Sequence, residues 1–287
     1  MTSLPYLTQA AIDQFIEAAL REDIGEGDHS TLGAIATSTK AAAKLLIKDD
    51  GILAGVELAH SIFKTYDASL EMEIFKKDGE AIKKGDVAFI VTGSARSILS
   101  TERLVLNCMQ RMSGIATYTH SLSRIIKNTH ATLIDTRKTT PNFRMMEKWA
   151  VTIGGGTNHR FALYDMVMLK DNHVDMAGGI ARAIANVKGY LSSIHKNLKI
   201  EIETRTLDEV KQVLACGGVD VIMLDNMSLA HLAEAVALID GKYKTEASGG
   251  ITEATLLAVA QTGVDFISVG ALTHSVKSLD LSLKVVS

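Results

Sequence analysis

Apolar positions along the 287-residue chain fall into two textures, and the change comes near residue 131. Before it the pattern is mixed. Ala11, Phe15, Ile16, Ala19 and Leu20 repeat at helical spacing behind Thr8, a residue type that caps helix starts by accepting a backbone N–H, so a helix is expected there. The acidic, glycine-broken segment Asp23-Ile24-Gly25-Glu26-Gly27-Asp28 reads as a loop. Short β-rich runs follow at Ala43 to Ile47, Leu70 to Phe75 and Val87 to Thr92, with turns at Lys77-Asp78-Gly79 and Lys84-Gly85-Asp86. From Ala95 to about Asn128 the apolar period is helical, and Ser113-Gly114 predicts a break in it.

Beyond residue 131, β-like runs alternate with helical stretches. The runs are Ala131 to Asp135, Met166 to Leu169, Leu198 to Glu203, Val219 to Leu224, Lys244 to Ala247 and Phe266 to Val269. Helices are predicted at Ala177 to Ser192, Leu207 to Ala215, Leu229 to Ile239 and Glu253 to Thr262. Such alternation means parallel β-α-β units. Six strands fall short of the eight of a closed barrel, so an open, incomplete α/β barrel is expected, with a flat doubly wound sheet as the competing topology. Leu279 to Val286 reads as one more strand, a candidate to return to the first domain.

Composition narrows the class. Hydrophobic residues make up 47% and charged residues 22%, which excludes disorder. Thirty Lys plus Arg against 33 Asp plus Glu give a net charge of −3, arguing against a dedicated nucleic-acid binder. Cys108 and Cys216 build no disulfide framework and have no metal-ligand spacing, so they are expected to be reduced, buried thiols. Met1 to Ala11 lacks a basic leader region, and no charge-free stretch is long enough to span a bilayer. The expectation is a soluble cytoplasmic protein without membrane or nucleic-acid partners.

Candidate chemistry lies at the C-terminal ends of the later runs. Strands of a parallel sheet are buried on both faces, where charge is costly. The first run ends in Asp135, Arg137 and Lys138; the second in Lys170-Asp171-Asn172-His173. The third carries Glu201 and Glu203, the fourth ends in Asp225-Asn226, the fifth in Ser248-Gly249-Gly250, the sixth in Gly270. Active sites of barrels and open α/β sheets lie at this end. Taken singly, each charge is better read as a solvated loop residue or a cap; chance would not place the whole set at one end.

The signs sort as well. Between Asp135 and Lys170 six basic residues (Arg137, Lys138, Arg144, Lys148, Arg160, Lys170) stand against three acidic ones, and His159 adds a donor. Such a cationic wall suits an anionic substrate. Glu203 and Asp225 opposite it suit a divalent metal, sugar hydroxyls or a developing positive charge, although a plain salt bridge is an equal reading for Glu203. Glycines after the fifth and sixth strands let backbone amides approach a phosphate. Gly154-Gly155-Gly156 reads equally as a hinge or a substrate-closing loop. Trp149 and Tyr164 are expected in the core, with Met166, Met168 and Met223 in the barrel interior; His195, His231 and His274 are expected at the surface or at caps. Neither a Ser-His-Asp nor a Cys-His arrangement stands out, and no dinucleotide fingerprint is present. The residues by themselves imply an α/β enzyme for a phosphorylated sugar and a second anionic substrate.

The segment Asp135-Thr136-Arg137-Lys138-Thr139-Thr140-Pro141 resembles the quinolinate phosphoribosyltransferase family, nicotinate-nucleotide pyrophosphorylases (carboxylating). The resemblance continues through Gly154-Gly155-Gly156-Thr157-Asn158-His159-Arg160, Asp165 to His173, Glu201-Ile202-Glu203, Leu224-Asp225-Asn226, Glu246 to Ile251 and Ser268 to Thr273. Upstream, Glu22 to Asp28, Glu102-Arg103 and Ser113 to Thr117 also fit, so it spans nearly the whole chain.

It implies an N-terminal α/β sandwich (1–117, completed by 275–287) on an incomplete parallel α/β barrel (118–274). Arg103, Arg137, His159, Arg160 and Lys170 would hold a pyridine dicarboxylate, with Arg103 reaching across a homodimer, or a hexamer built as a trimer of dimers. Thr136, Lys138, Glu203, Asp225, Ser248, Gly249, Gly250, Gly270 and Ala271 would hold phosphoribosyl pyrophosphate. Magnesium would sit at Glu203 and Asp225, directly or through water or substrate, and no organic cofactor is implied. Lys138, Glu203 and Asp225 would be catalytic. The implied reaction turns quinolinate and phosphoribosyl pyrophosphate into nicotinate mononucleotide, carbon dioxide and pyrophosphate. Asn142-Phe143 and Thr204-Arg205 depart from the family pattern, and Phe143 is placed to alter the site entrance. A related family implicated in molybdenum transport usually lacks the Lys-Asp-Asn-His segment present at Lys170 to His173. A non-enzymatic phosphosugar-binding module would not require Lys138, Glu203 and Asp225 together.

Overall fold

A computed structural model of the chain describes residues 4–286. The order begins α1 (Gln9–Ile24), α2 (His29–Ala34), β1 (Lys40–Ile47), β2 (Gly51–Ile52), α3 (Val56–Tyr66), β3 (Glu71–Ile74), β4 (Ala81–Ile82), β5 (Val87–Ser94) and α4 (Ala95–Ile126). It continues β6 (Thr132–Ile134), α5 (Arg144–Ile153), β7 (Val167–Leu169), α6 (Asp171–Ala177), α7 (Ile180–Ser193), β8 (Ile200–Thr204), α8 (Leu207–Cys216) and β9 (Val221–Asp225). It closes with α9 (Leu229–Ile239), β10 (Lys244–Ser248), α10 (Glu253–Ala260), β11 (Phe266–Ser268), α11 (Ala271–His274) and β12 (Leu281–Val285).

The chain divides into two compact units. One comprises the residues up to His120, Thr139–Gly155 and the residues from Ala271 on; the other comprises Ser121–Lys138 and Gly156–Gly270. The first unit holds a four-stranded sheet in the order β12-β1-β5-β3, antiparallel throughout. The final strand does return to the first domain, pairing along β1 from Ala43↔Val285 to Ile47↔Leu281. Thr8 caps α1, its Oγ1 accepting the Ala11 N–H at 3.2 Å. Asp28, expected in a loop, caps α2 by accepting the Thr31 N–H.

Two expectations for this unit need correction. The helix from Ala95 is unbroken through Ile126. Ser113 and Gly114 are contact residues instead of breakers. Ser113 Oγ exchanges hydrogen bonds with the Ala54 N–H (3.0 Å) and carbonyl (3.1 Å). A Cβ on Gly114 would collide with the Lys277 carbonyl, so glycine admits the close passage of the C-terminal segment. Second, residues 139–155 and 271–274 lie by compactness with the N-terminal residues, although chain order puts them inside the barrel stretch. The cause is α5. Its Glu147, fully buried, accepts from Arg111 Nη2 (2.9 Å), the Thr140 N–H (3.0 Å) and Thr140 Oγ1 (2.9 Å), and that buried pairing anchors the excursion. Gly154 ends α5 where a Cβ would strike the Ala116 carbonyl, so glycine there admits close packing, while Gly155 beside it takes a positive φ in open space. The Phe143 ring lies on Phe15, centroids 5.6 Å apart.

The second unit is one parallel six-stranded sheet in the order β6-β11-β10-β9-β8-β7. Read circularly, that is chain order, as in a barrel; a doubly wound sheet would reverse direction at a switch point. The opening falls between β6 and β7. At the free edge of β6, the Thr157 N–H donates to the Leu133 carbonyl (2.9 Å) and the Thr157 carbonyl accepts the Asp135 N–H (3.2 Å), a single parallel bridge. Ile202, Ile222, Leu224, Ala247 and Ile267 are buried on one face of the sheet, while the register sets Glu201, Glu203, Met223 and Glu246 on the other. The helix expected at Ala177 to Ser192 is α7, starting at Ile180; the short α6 before it was not expected, and Gly178 and Gly179, both at positive φ, separate the two.

Trp149 and Met223 are buried as expected, but Tyr164 is 65% exposed, Met166 and Met168 are half-buried, and Cys216 is exposed, so these are corrections. His195, His231 and His274 are exposed. Among the described residues no helix is long and apolar enough to cross a membrane.

Candidate active site

The strand ends of the parallel sheet build the site. Parallel register sets Asp225, the last residue of β9, beside Ser248, the last of β10. The Asp225 carboxylate accepts from the Asn226 side chain at 2.7 Å, and the Asn226 N–H donates to the Ser248 carbonyl at 2.8 Å. Gly249 follows at φ +95°, and a Cβ there would overlap the Asn226 carboxamide. Glycine is therefore required at this loop by both conformation and space. Gly250 (φ +61°) continues the turn toward α10, and Gly270 ends the strand run before α11, which Ala271 opens.

Glu203 stands on β8 beside this corner. Burial first, then the Asp225 carboxylate, raises its carboxyl above the ordinary value; the Lys170 ammonium, 3.6 Å away, works in the opposite direction. The salt bridge and the paired carboxylates, alternatives in the sequence, are thus both present. Lys170 precedes α6, where its N–H donates to His173 Nδ1 at 2.9 Å. Thr204 turns inward and donates to the Met223 carbonyl, while Arg205 pairs with Glu209 and Asp175 on the surface.

The cationic wall forms after β6 and at its open edge. Thr136 Oγ1 accepts the Lys138 N–H at 3.0 Å, which shapes the turn carrying Arg137 and the exposed Lys138. Arg160 donates to the Met166 carbonyl at 3.2 Å. Its guanidinium holds its proton less firmly than usual, first through burial and then through the nearby Arg137 cation, with Glu201 and Asp165 compensating in part. Two guanidiniums close enough to repel each other favour an anion between them.

Behind the wall lies a buried cluster. Asp135, fully buried, accepts from Asn158 Nδ2 (2.7 Å) and the His159 N–H (2.9 Å), tying this segment to β6. His159 Nε2 lies 2.8 Å from Glu201 Oε2 and 3.3 Å from Glu246 Oε2. Its Nδ1 accepts the Arg160 N–H at 2.6 Å. Burial lowers the proton affinity of the imidazole, but the hydrogen bonds and charges of Glu201 and Glu246 outweigh it and push its pKa up to about 10. A doubly protonated ring would set an Nδ1–H against the Arg160 N–H, so the proton that the cluster gains sits on the carboxylate side of the ring. A neutral ring with its proton on Nε2, beside two carboxylates sharing one proton, has the same net charge as an imidazolium beside two carboxylates. Burial and the Glu246 charge raise the Glu201 carboxyl, as a carboxyl that retains a proton requires.

Arg137 and Arg160 are therefore brought together, as are Lys170, Glu203 and Asp225, and Ser248 with Gly249. Arg103 is exposed on α4, in the other unit, and pairs with no described residue. The sequence reading gave no role to Glu246, Glu201, Asp135, Asn158 or Asn226. One signal was available: Glu201 and Glu203 alternate within a strand buried on both faces, so each needs a partner.

Residues 115–284 match the family model for the quinolinate phosphoribosyl transferase C-terminal domain, and residues 28–113 match that for its N-terminal domain. The chain is 47% identical to a chloroplastic nicotinate-nucleotide pyrophosphorylase (carboxylating) of Oryza sativa subsp. japonica, over 94% of this chain and 76% of that one. It is 43% identical to a probable nicotinate-nucleotide pyrophosphorylase (carboxylating) of Bacillus subtilis, over 92% and 90%. The crystal structure of NadC from Streptococcus pyogenes superposes with a TM-score of 0.91 at 39% identity, covering all of both chains. Two family models that together match residues 28–113 and 115–284 agree with relatives 43–47% identical over more than nine-tenths of the chain, and this chain belongs to the quinolinate phosphoribosyltransferase family.

Proposed function

We propose that the protein transfers a phosphoribosyl group to quinolinate and decarboxylates the product, giving nicotinate mononucleotide for NAD biosynthesis. The observation that carries this reading is the division of charge at one end of one sheet. Mutually repelling Arg137 and Arg160 suit a planar dicarboxylate, and Glu203 and Asp225 face the place where ribose would develop positive charge. Lys170 joins the arginines, with His159 beside them. Lys138 and the Ser248-Gly249-Gly250 and Gly270-Ala271 turns take the phosphates.

In the reaction the ring nitrogen lone pair forms a bond to the anomeric carbon. The bond from that carbon to pyrophosphate breaks, and its electrons leave with pyrophosphate, neutralised by Lys138. The ring nitrogen is now cationic. The bond to the adjacent carboxylate breaks, carbon dioxide departs, and the electron pair left on the ring carbon takes a proton from water. Glu203 and Asp225 stabilise the oxocarbenium-like ribose in the first step.

The same two carboxylates fit magnesium: they are hard oxygen donors on adjacent strands, and Glu203, raised first by burial, is raised further by the Asp225 charge, which a cation would offset. When bound, magnesium supplies charge neutralisation for pyrophosphate. The active unit is proposed to be a homodimer in which Arg103 of one subunit reaches the quinolinate of the other. Mixing inactive Arg103→Ala with inactive Lys138→Ala should restore activity if sites are shared, since one site of the heterodimer then carries neither defect. For the reaction, incubation with quinolinate, phosphoribosyl pyrophosphate and magnesium should release carbon dioxide and the mononucleotide in equal amounts. No product at saturating substrate rejects the assignment.

A further inference from the structure

Glu201 and Glu246 have no part in the reaction as written, yet both are buried, on β8 and β10 with β9 between them. Buried carboxylates are costly and are retained where they hold something in place. Their Oε2 atoms converge on His159 Nε2 at 2.8 and 3.3 Å. Their Oε1 atoms are buried without a hydrogen-bond partner among the described residues. The imidazole is thus the one described group that both carboxylates engage. On its other side the ring accepts the Arg160 N–H at 2.6 Å, and Asp135 accepts the His159 N–H at 2.9 Å. The backbone entering Arg160 is clamped by a side chain on each side, one of them aimed by the two glutamates.

We infer that Glu246, together with Glu201, is a positioning residue for quinolinate: through the His159 ring it fixes the Arg160 backbone, and so the direction from which the Arg160 guanidinium meets a substrate carboxylate beside Arg137. This rests on the quinolinate reading. It assigns His159 both ring nitrogens to the protein, so the histidine acts on substrate through Arg160. Glu203 and Ser248, proposed for phosphoribosyl pyrophosphate, stand at the ends of the same two strands, β8 and β10, but the clamp bears on the backbone that carries Arg160 and not on them.

The test compares Glu246→Ala with Glu246→Gln. A glutamine can still accept the Nε2–H and donate to Glu201, so it keeps the clamp. Glu246→Ala should raise the KM for quinolinate about 10- to 100-fold and leave the KM for phosphoribosyl pyrophosphate within about twofold, because misaimed binding groups cost that order of effect. Glu246→Gln should recover most of the loss. Parallel rises in both KM values, equal defects in the two variants, or an unchanged quinolinate KM in folded Glu246→Ala would each overturn the inference. If Glu246→Ala does not fold, the wild-type protein still decides. Nitrogen-15 NMR of labelled histidine, with the signal assigned by its loss in His159→Ala, should find His159 protonated at Nε2 and bare at Nδ1 near neutral pH. A proton on Nδ1 overturns the clamp. Wild-type protein without phosphoribosyltransferase activity would instead sink the functional reading, whatever the histidine signal reports.

Discussion

The two ends of the parallel sheet carry similar charges in opposite conditions. At the N-terminal end, Asp265 is surrounded by donors: Lys244 Nζ at 2.6 Å, the Thr245 N–H at 2.9 Å, Thr245 Oγ1 at 3.0 Å and His130 Nε2 at 3.0 Å. Burial, the largest single influence, would raise its carboxyl, but the partners pull it down to about 2. Asp220 at the same end accepts the Ile200 N–H at 2.7 Å. At the C-terminal end the shifts run the other way. Glu203 is raised beside Asp225, and Arg160 is lowered beside Arg137. Charges matched to the protein shift toward comfort and add stability. Where burial and a like charge act together, as at Glu203 and Arg160, the charged form is disfavoured, and such perturbed groups are commoner at functional sites than elsewhere.

The strongest way to break this comparison is Asp225→Asn. With Asp225 in the proposed role of stabilising the ribose, removing its carboxylate should lower kcat by about 10²- to 10³-fold. Because it also removes a like-charge neighbour of Glu203, the thermal midpoint should hold or rise. A large fall in midpoint with activity intact would invert the roles assigned to the two ends.

Substrate choice gives the next effect. Nicotinate lacks one carboxylate and leaves part of the cationic wall unpaired, a penalty of about 2–5 kcal/mol by analogy with a truncated charge pair. Its kcat/KM should therefore lie well below that of quinolinate, and phthalate, which keeps both carboxylates, should inhibit competitively. Comparable kcat/KM for the two pyridines would show that the guanidinium pair does not read the dicarboxylate.

Arg137→Lys keeps the charge but loses the planar fork, so quinolinate should bind roughly tenfold more weakly with phosphoribosyl pyrophosphate little affected. Separate titrations of the two ligands decide, and equal losses for both would count against the assignment.

Asp265→Asn should give the smallest effect and should leave kcat and KM alone. Loss of charge-assisted hydrogen bonds there should cost about 1–2 kcal/mol of stability. The sign with pH follows from linkage. A carboxyl held below its unfolded value binds more protons unfolded than folded between about pH 2 and 4, so stability rises with pH across that window. The advantage of the wild type over Asp265→Asn should be full above about pH 4 and fade as pH falls through 2. An advantage that grew on acidification would contradict the hydrogen-bond account.

Much of this was legible in the sequence, for a local reason. All six parallel strands appear where apolar runs predicted them, with ends within two residues, because a run bounded by turn residues is a one-dimensional signal. The helix α3 was not foreseen, although Val56, Ala59, Ile62 and Phe63 are buried at helical spacing; its start depends on Asp78, which accepts the Val56 and Glu57 N–H groups from a distant turn. Gly114 misled because a glycine inside a helical period resembles a break, and only the nearby Lys277 backbone explains it.

By itself the sequence determined the parallel sheet, the polar strand ends and the separation of cations from carboxylates along the chain. Burial on both faces leaves a strand few places for charge except its ends. Tertiary structure alone decided that residues 139–155 leave the sheet to pack with the N-terminal residues, and that Arg160 comes within electrostatic reach of Arg137. It also decided that glutamates from two non-adjacent strands close on one histidine. Such meetings depend on strand order and on distances of 3 to 4 Å between residues far apart in the chain, and no local period encodes those.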